Sequence, residues 1–98
     1  MTIQLDLLAQ VCAIRSPGKG AVQAAVIVRN NRSSTFSLTA HMDLMNSSHV
    51  QLNTWACPLL GVEADSWEVC FSSTVAESSP VNSTGDAYSH AFGLTDWV

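Results

Sequence analysis

The sequence predicts an all-β domain, a small antiparallel sandwich or barrel of about six strands. Residues 36–44 alternate strictly between apolar and polar side chains, which is the period of a strand with one face on a core. Further apolar runs recur along the chain, separated by segments rich in Ser, Asn, Gly and Pro. At 98 residues the chain has the length of one domain, and we assign residues 1–98 to it.

The first two predicted strands differ in how many of their faces are apolar. Thr2–Arg15 alternates and is predicted as a strand, although a helix would also gather several of its apolar residues on one side. A turn containing Pro17 separates it from Ala21–Arg29, which is apolar on both faces. Such a strand is covered on both sides, either by the domain or by a partner. Ala25 and Ile27, on its second face, are therefore candidate interface residues.

The anchor strand Phe36–Leu44 is followed by a turn and a return strand over His49–Cys57. Pro58 and Gly61 are expected to end this return strand, because proline lacks the N–H that a sheet ladder uses. Val50 is expected to face the core.

The last third of the chain is predicted as two strands and one long loop. Asp65–Ser73 alternates, and we expect Trp67, with the apolar residues on its face, to lie in the core. Ala76–Asp86, rich in Ser, Pro, Asn and Gly, is expected to be the longest loop. Tyr88–Val98 is predicted as the last strand.

The three cysteines, Cys12, Cys57 and Cys70, form no metal-binding spacing. We predict free, partly buried thiols in a reducing compartment. A bridge between Cys57 and Cys70 across neighbouring strands is the alternative for an extracellular protein.

Charge is sparse and unevenly divided along the chain. Only 12% of the residues are charged, against roughly 25% in an average soluble domain. All four basic residues precede residue 33, and in a chain of net charge −4 they form no face for phosphate, so nucleic-acid binding is excluded. In a simple meander, Arg29 and Arg32 would share one end of the domain with Glu63 and Asp65. They are predicted to orient contacts between identical subunits.

Two polar residues of the anchor strand, His41 and Asp43, are the candidates for chemistry. A catalytic triad requires a nucleophile on a strained turn and donors for an oxyanion, which this flat strand does not supply. A metal site that adds His90 from the last strand is the alternative. We interpret the pair as a solvated or interfacial polar row, and predict no catalytic residue, cofactor or metal.

Two further tryptophans and three glycosylation sequons complete the candidates. Trp55 breaks the alternation of its strand and is expected to be exposed, whereas Trp97 is expected to dock into its own domain or a neighbour. Sequons occur at Asn31, Asn46 and Asn82, each in a predicted loop.

Low charge and a strand with two apolar faces favour a non-enzymatic interaction protein over an enzyme. We expect it to self-assemble or dock on a larger assembly, such as a capsid, decoration or tail component of a virus or phage. The alternative is an extracellular module that binds a ligand or carbohydrate through Trp55. No membrane span is expected, and the first residues lack the pattern of a signal peptide, which favours a virion or the cytoplasm over secretion.

Overall fold

A computed structural model of the protein describes residues 2–4, 6–87 and 90–98 and consists of two antiparallel sheets that share one core. The strands are β1 (Thr2–Gln4), β2 (Leu7–Arg15), β3 (Ala21–Asn30), β4 (Phe36–Asn46), β5 (Gln51–Val62), β6 (Ser66–Phe71), β7 (Val75–Ala76), β8 (Val81–Asn82), β9 (Thr84–Ala87) and β10 (His90–Leu94). The predicted all-β sandwich is confirmed. The described residues contain no helix that is long and apolar enough to cross a membrane.

The sheets are built from strands that are not simply consecutive. Sheet A has the order β1-β2-β3-β6, with β7 also paired to β3, and sheet B has the order β10-β9-β4-β5, with β8 also paired to β4. The chain crosses to sheet B between β3 and β4 and returns to sheet A between β5 and β6. These crossings replace the simple meander of the sequence prediction and place β5 and β6 each at the end of a sheet.

The anchor strand β4 supplies the centre of the core in sheet B, as its alternation predicts. Leu38, Met42 and Leu44 are at most 5% exposed, whereas Thr39 and His41 are exposed. The inward side chains pack against those of sheet A in one apolar cluster. Burial of these side chains is the main stabilising term of a domain this size.

The first strands of sheet A also follow their sequence pattern. Leu7, Ala9 and Val11 are buried in β2, so this segment is a strand and not the alternative helix. Asp6 has a positive φ of 61° and turns the chain between β1 and β2, which divides the predicted single strand in two. Leu5 lies outside the described residues.

Strand β5 is longer than predicted. It continues through Pro58 and Gly61 to Val62, because it lies at the edge of sheet B, where a proline can have its ring nitrogen on the side without a neighbour. Register shifts in its pairing with β4 interrupt the two-residue period. Val50 precedes the strand and is 56% exposed, so its predicted position in the core is wrong.

The facing predicted for β6 is also wrong. Trp67 is 61% exposed, and the opposite face of the strand points to the core. The reason is the register with β3, in which Cys70 lies opposite the buried Val26. Because directly opposed residues share a face of the sheet, Cys70 must point inward and Trp67 outward.

The predicted long loop over 76–86 contains parts of three short strands. β8 and β9 pair with β4 inside sheet B, and Asn82 and Ser83 are buried there. Arg15 anchors the segment before them, because its guanidinium donates to the carbonyl oxygens of Glu77 and Ser79. Hydrogen bonds from Ser79, with a smaller contribution from the nearby guanidinium of Arg15, lower the pKa of the exposed Glu77 carboxyl.

A disulfide joins the two sheets where both of them end. Cys57 of β5 and Cys70 of β6 are bonded, with their Cα atoms 6.3 Å apart, whereas Cys12 remains a free thiol. The prediction of free thiols is therefore wrong for two of the three cysteines, and the bridged alternative is correct. Strand β6 ends sheet A, where its neighbour is β3. The bond fixes this end strand to sheet B as well.

A buried asparagine joins two loops at one end of the sandwich. Asn30 is 0% exposed, and its Nδ2 donates to the carbonyl oxygens of Ser34, Val62 and Glu63 at 2.9, 3.0 and 3.2 Å. Its Oδ1 accepts from the backbone N–H of Arg32 at 2.9 Å. The loop before β4 and the loop after β5 therefore lie at the same end of the domain.

Replacing Asn30 with alanine should lower the free energy of unfolding by about 2 kcal/mol, because buried carbonyl oxygens lose their donor. Urea denaturation followed by circular dichroism measures the loss. Asn53→Ala, at an exposed position of β5, is the matched control and should change little. Equal stability of the two variants would contradict the role of the Asn30 hydrogen bonds.

Candidate interaction surface

The outward face of sheet A carries apolar side chains in rows that run across three strands. Arg29 lies between Leu8 and Trp67, in the register of β2, β3 and β6. The next rows are Gln10, Ile27 and Val69, then Cys12, Ala25 and Phe71. We call the seven apolar positions of this surface the outer apolar face: Leu8, Ile14, Ala25, Ile27, Trp67, Val69 and Phe71.

Much of the outer apolar face is open to solvent. Trp67 is 61% exposed, Phe71 is 55% exposed and Val69 is 40% exposed. Together with Leu8 and Ile14, these side chains expose on the order of 400 Å² of apolar surface, which is within the range of the largest patches on monomers and typical of interaction sites. Ala25, between the strands that carry these side chains, is 2% exposed. Ala25 and Ile27 lie in the rows of this face, and its exposed part lies mainly on β6.

Strand β6 also presents an edge. It ends sheet A, and no strand within the described part of the chain pairs with its other side. The N–H of Ser72 donates to the carbonyl oxygen of Ala24 at 2.8 Å, so Ser72 points its N–H toward β3. Backbone groups alternate in direction along a strand, so those of Trp67, Val69 and Phe71 point away from β3.

Natural edge strands are commonly protected by Lys, Pro, bulges or inward-pointing charges. The sequence of β6 holds neither Lys nor Pro, and its register with β3 runs without a shift from Ala25 to Asn30. Glu68 is the single charged residue of the strand, and its register with β3 places it on the inward side. An edge with exposed aromatic and β-branched residues and this one protecting charge can pair with another chain in a register that does not oppose two such charges.

The two arginines predicted to orient an interface occupy different surfaces. Arg29 is on the outward face of sheet A, where its Nε donates to Oδ1 of Asn31 at 2.6 Å. Arg32 lies at the end of the domain, with its guanidinium carbon 4.9 Å from the ring centre of Phe36. Only Arg29 therefore borders the outer apolar face.

The remaining tryptophans do not join this surface. Trp55 is half-buried and packs against the core, because it lies opposite the buried Met42 in sheet B. Its predicted exposure is wrong. Trp97 is 44% exposed and contacts His49 edge to face, with ring centres 6.1 Å apart.

The polar row of β4 faces outward on sheet B. Nδ1 of His41 lies 3.2 Å from Oδ1 of Asp86, and both side chains are more than half exposed. Asp43 accepts hydrogen bonds from the N–H and hydroxyl of Thr84 at 2.8 and 2.9 Å. Asp86 was assigned to a loop by the sequence pattern, and its pairing opposite His41 in β9 was missed.

These residues line a shallow cleft of about 330 Å³ on sheet B. The hydroxyl of Thr84 donates to Asp43, and the hydroxyl of Thr54, also in the cleft, donates to the carbonyl oxygen of Met42. Neither hydroxyl is directed at His41 as a nucleophile would be. The side chain of His90 lies outside the described residues, and those described contain no cluster of three potential metal ligands.

The three sequons differ in accessibility. Asn31 is exposed, whereas Asn82 is 3% exposed inside sheet B. Oδ1 of Asn46 accepts from the N–H groups of Ser48 and Val50 and closes the turn between β4 and β5. A glycan requires an accessible side-chain amide, so the buried Asn82 is excluded as an acceptor in the folded domain.

Comparisons with known proteins support the architecture alone. No protein-family model and no curated protein matches the chain. A crystal structure solved as target SoR45 of the Northeast Structural Genomics Consortium is similar, with a TM-score of 0.56 and 8% sequence identity, and the match covers 99% of this chain and 87% of that one. At this identity the likeness is one of fold, so the chain is an antiparallel β-sandwich that shares its fold with that protein.

Proposed function

We propose that the protein is a non-enzymatic structural domain that self-assembles, and that β6, with the outer apolar face beside it, forms the contact. The observation that supports this proposal is the exposure of Trp67, Val69 and Phe71 on a strand at the free end of sheet A. Leaving these side chains in water is unfavourable, and the part of each that a neighbouring copy covers would contribute roughly 25 cal/mol per Å² of buried apolar surface.

Low charge supports the same conclusion. Among the side chains of the three central rows of the outer face, Arg29 alone is charged. Its position at the border of the apolar residues suits a role in orientation, because a single exposed charge contributes little affinity. A domain of this kind would suit a capsid, decoration or tail component of a virus or phage.

The disulfide bears on where the protein works. Disulfides persist in oxidising compartments and on virion surfaces and are rare in cytosol. The bond between Cys57 and Cys70 therefore favours a virion surface or an extracytoplasmic location over the cytoplasm.

The alternative function, ligand or carbohydrate binding through Trp55, loses its main support. Trp55 packs against the core, and Trp67 and Trp97 lie on separate parts of the molecule. A platform for a sugar ring requires exposed aromatic faces close together, and these three residues do not provide one.

Replacing Trp67 with lysine should dissociate the assembly, because a charge replaces an aromatic side chain of the proposed contact while the core is untouched. Sedimentation equilibrium of the wild type should show an oligomer, and the variant should be a monomer with an unchanged melting temperature. Val50→Lys is the matched control, since Val50 is similarly exposed but lies outside sheet A. A wild type that remains monomeric at millimolar concentration would refute self-assembly.

A further inference from the structure

The free edge of β6 indicates how two copies would meet, and this inference rests on the proposed function. We propose that β6 pairs antiparallel with β6 of a second copy, about a two-fold axis at Val69. Sheet A of each copy would then continue into sheet A of the other. The contact is isologous, so both copies use the same residues.

The direction of the backbone N–H and carbonyl groups in β6 supports this pairing. Trp67, Val69 and Phe71 direct their N–H and carbonyl groups away from β3, as the bond from Ser72 to Ala24 establishes. In an antiparallel pair, only residues whose backbone groups point at the partner strand exchange hydrogen bonds. The new ladder would therefore be formed by these three residues of each copy.

The direction of the side chains limits the register. In one continuous sheet, residues directly opposite each other point to the same face. Odd-numbered residues of β6 point to the outer face and even-numbered ones point inward. An odd residue must then meet an odd residue, so a shift by a single position is excluded.

Among the remaining registers, the one centred on Val69 uses the strand most fully. It places Trp67 opposite the second copy's Phe71, and Val69 opposite itself, so that all three outward-bonding residues find partners. Two aromatic pairs form across the dyad, a cross-strand arrangement that stabilises sheets. The register centred on Glu68 would instead oppose two carboxylates, which is unfavourable. The register centred on Cys70 would leave Trp67 without a partner in β6.

The disulfide holds the β6 edge in the extended conformation that pairing requires. Cys70 is next to the central Val69 of the proposed ladder and points to the inward face, and its bond to Cys57 holds β6 against sheet B. A strand already held in its extended form loses little conformational freedom when it gains a partner. The conformational entropy of β6 is therefore lost during folding of each copy, before the two copies pair.

The self-complementarity of β6 identifies the occupant as a second copy. The central residue, Val69, pairs with itself, and the flanking aromatic residues pair with each other. A partner strand of unrelated sequence would have to supply this order of aromatic, β-branched and aromatic residues independently. In β6 this order reads the same in both directions, as antiparallel pairing of two identical strands requires.

Cysteine cross-linking tests both pairing and register. In a Cys12→Ser background, Val69→Cys should form a covalent dimer under mild oxidation, because opposed Cα atoms in a hydrogen-bonded pair lie about 5.5 Å apart, within disulfide range. Trp67→Cys and Phe71→Cys should each remain unlinked alone and should link when mixed. Non-reducing electrophoresis and intact mass spectrometry report the products.

A backbone variant supplies a second, independent measurement. Val69→Pro removes an N–H that does not bond to β3, so the domain should keep its melting temperature while the dissociation constant of the dimer rises on the order of a hundredfold. Glu68→Pro is the matched control, because it removes an N–H that bonds to β3 and should lower the melting temperature.

The outcomes separate the two proposals. An oligomeric wild type in which Val69→Cys does not cross-link, or in which Trp67→Cys links to itself, overturns the register while self-assembly stands. A folded Val69→Pro variant that dimerises as the wild type does overturns pairing at β6. A monomeric wild type overturns both proposals. If Val69→Pro does not fold, the cross-linking pattern decides.

Discussion

Replacing Leu38 with alanine should lower the free energy of unfolding by about 2–5 kcal/mol. Leu38 is 5% exposed near the beginning of β4, and it lies opposite Leu59 of β5 within the common core. Removing most of its side chain loses the transfer free energy of the apolar atoms and leaves a cavity that the two rigid sheets cannot fill. Urea denaturation measures the difference as a change in midpoint at constant slope.

Thr39→Ala is the control for this variant. Thr39 is the next residue of the same strand but faces solvent, so its truncation should change the free energy of unfolding by less than about 0.5 kcal/mol. A loss below that value for Leu38→Ala would mean that β4 does not face the core as described.

Removing the disulfide should have a comparable effect. The double variant Cys57→Ala and Cys70→Ala should lose about 3 kcal/mol, because a bond across a separation of 13 residues restricts the unfolded chain by that amount. Adding reductant to the wild type should produce a similar loss. Melting curves with and without reductant, at fixed protein concentration, measure both effects.

Cys12→Ser is the control for the disulfide variants, since Cys12 is a free thiol outside the bond. It should be as stable as the wild type, and reductant should lower its stability by the same amount as that of the wild type. If the double variant were as stable as the wild type and insensitive to reductant, the bond would be absent in solution.

The core of sheet B could be predicted from the sequence because β4 alternates without interruption. Each even residue from Leu38 to Leu44 is buried, as a period of two requires. Alternation alone does not state which face is inward. In β4 one face is polar, which decides the question; in β6 the inward face holds Glu68 and Cys70, and the register with β3 decides instead.

Other parts of the fold depend on contacts distant in sequence. The segment over 76–86 has the composition of a loop, yet β8 and β9 gain strand pairing from β4 and their neighbouring turn is held by Arg15. Such tertiary contacts override local propensity. In β5, register shifts change the phase of the side chains, so the burial of Trp55 could not be read from alternation.

One part of the candidate surface could be predicted from the sequence, and the other part depends on contacts distant in sequence. The two apolar faces of β3 identified Ala25 and Ile27 as residues of a second, outward surface. The aromatic residues that extend this surface were assigned to the core, because large apolar side chains are more often buried than exposed. Their outward position follows from the pairing of β3 with β6, which no local pattern contains.

The disulfide also determines how the domain would respond to a pulling force applied at its two ends. The bond crosses from β5 to β6, so the 13-residue interval between Cys57 and Cys70 cannot be drawn out while it is intact. A fully extended chain spans at most about 3.5 Å per residue, so the oxidised domain would lengthen by roughly 40 Å less than the reduced one. The length to which a strained assembly of such domains can stretch would therefore depend on the redox state of its surroundings.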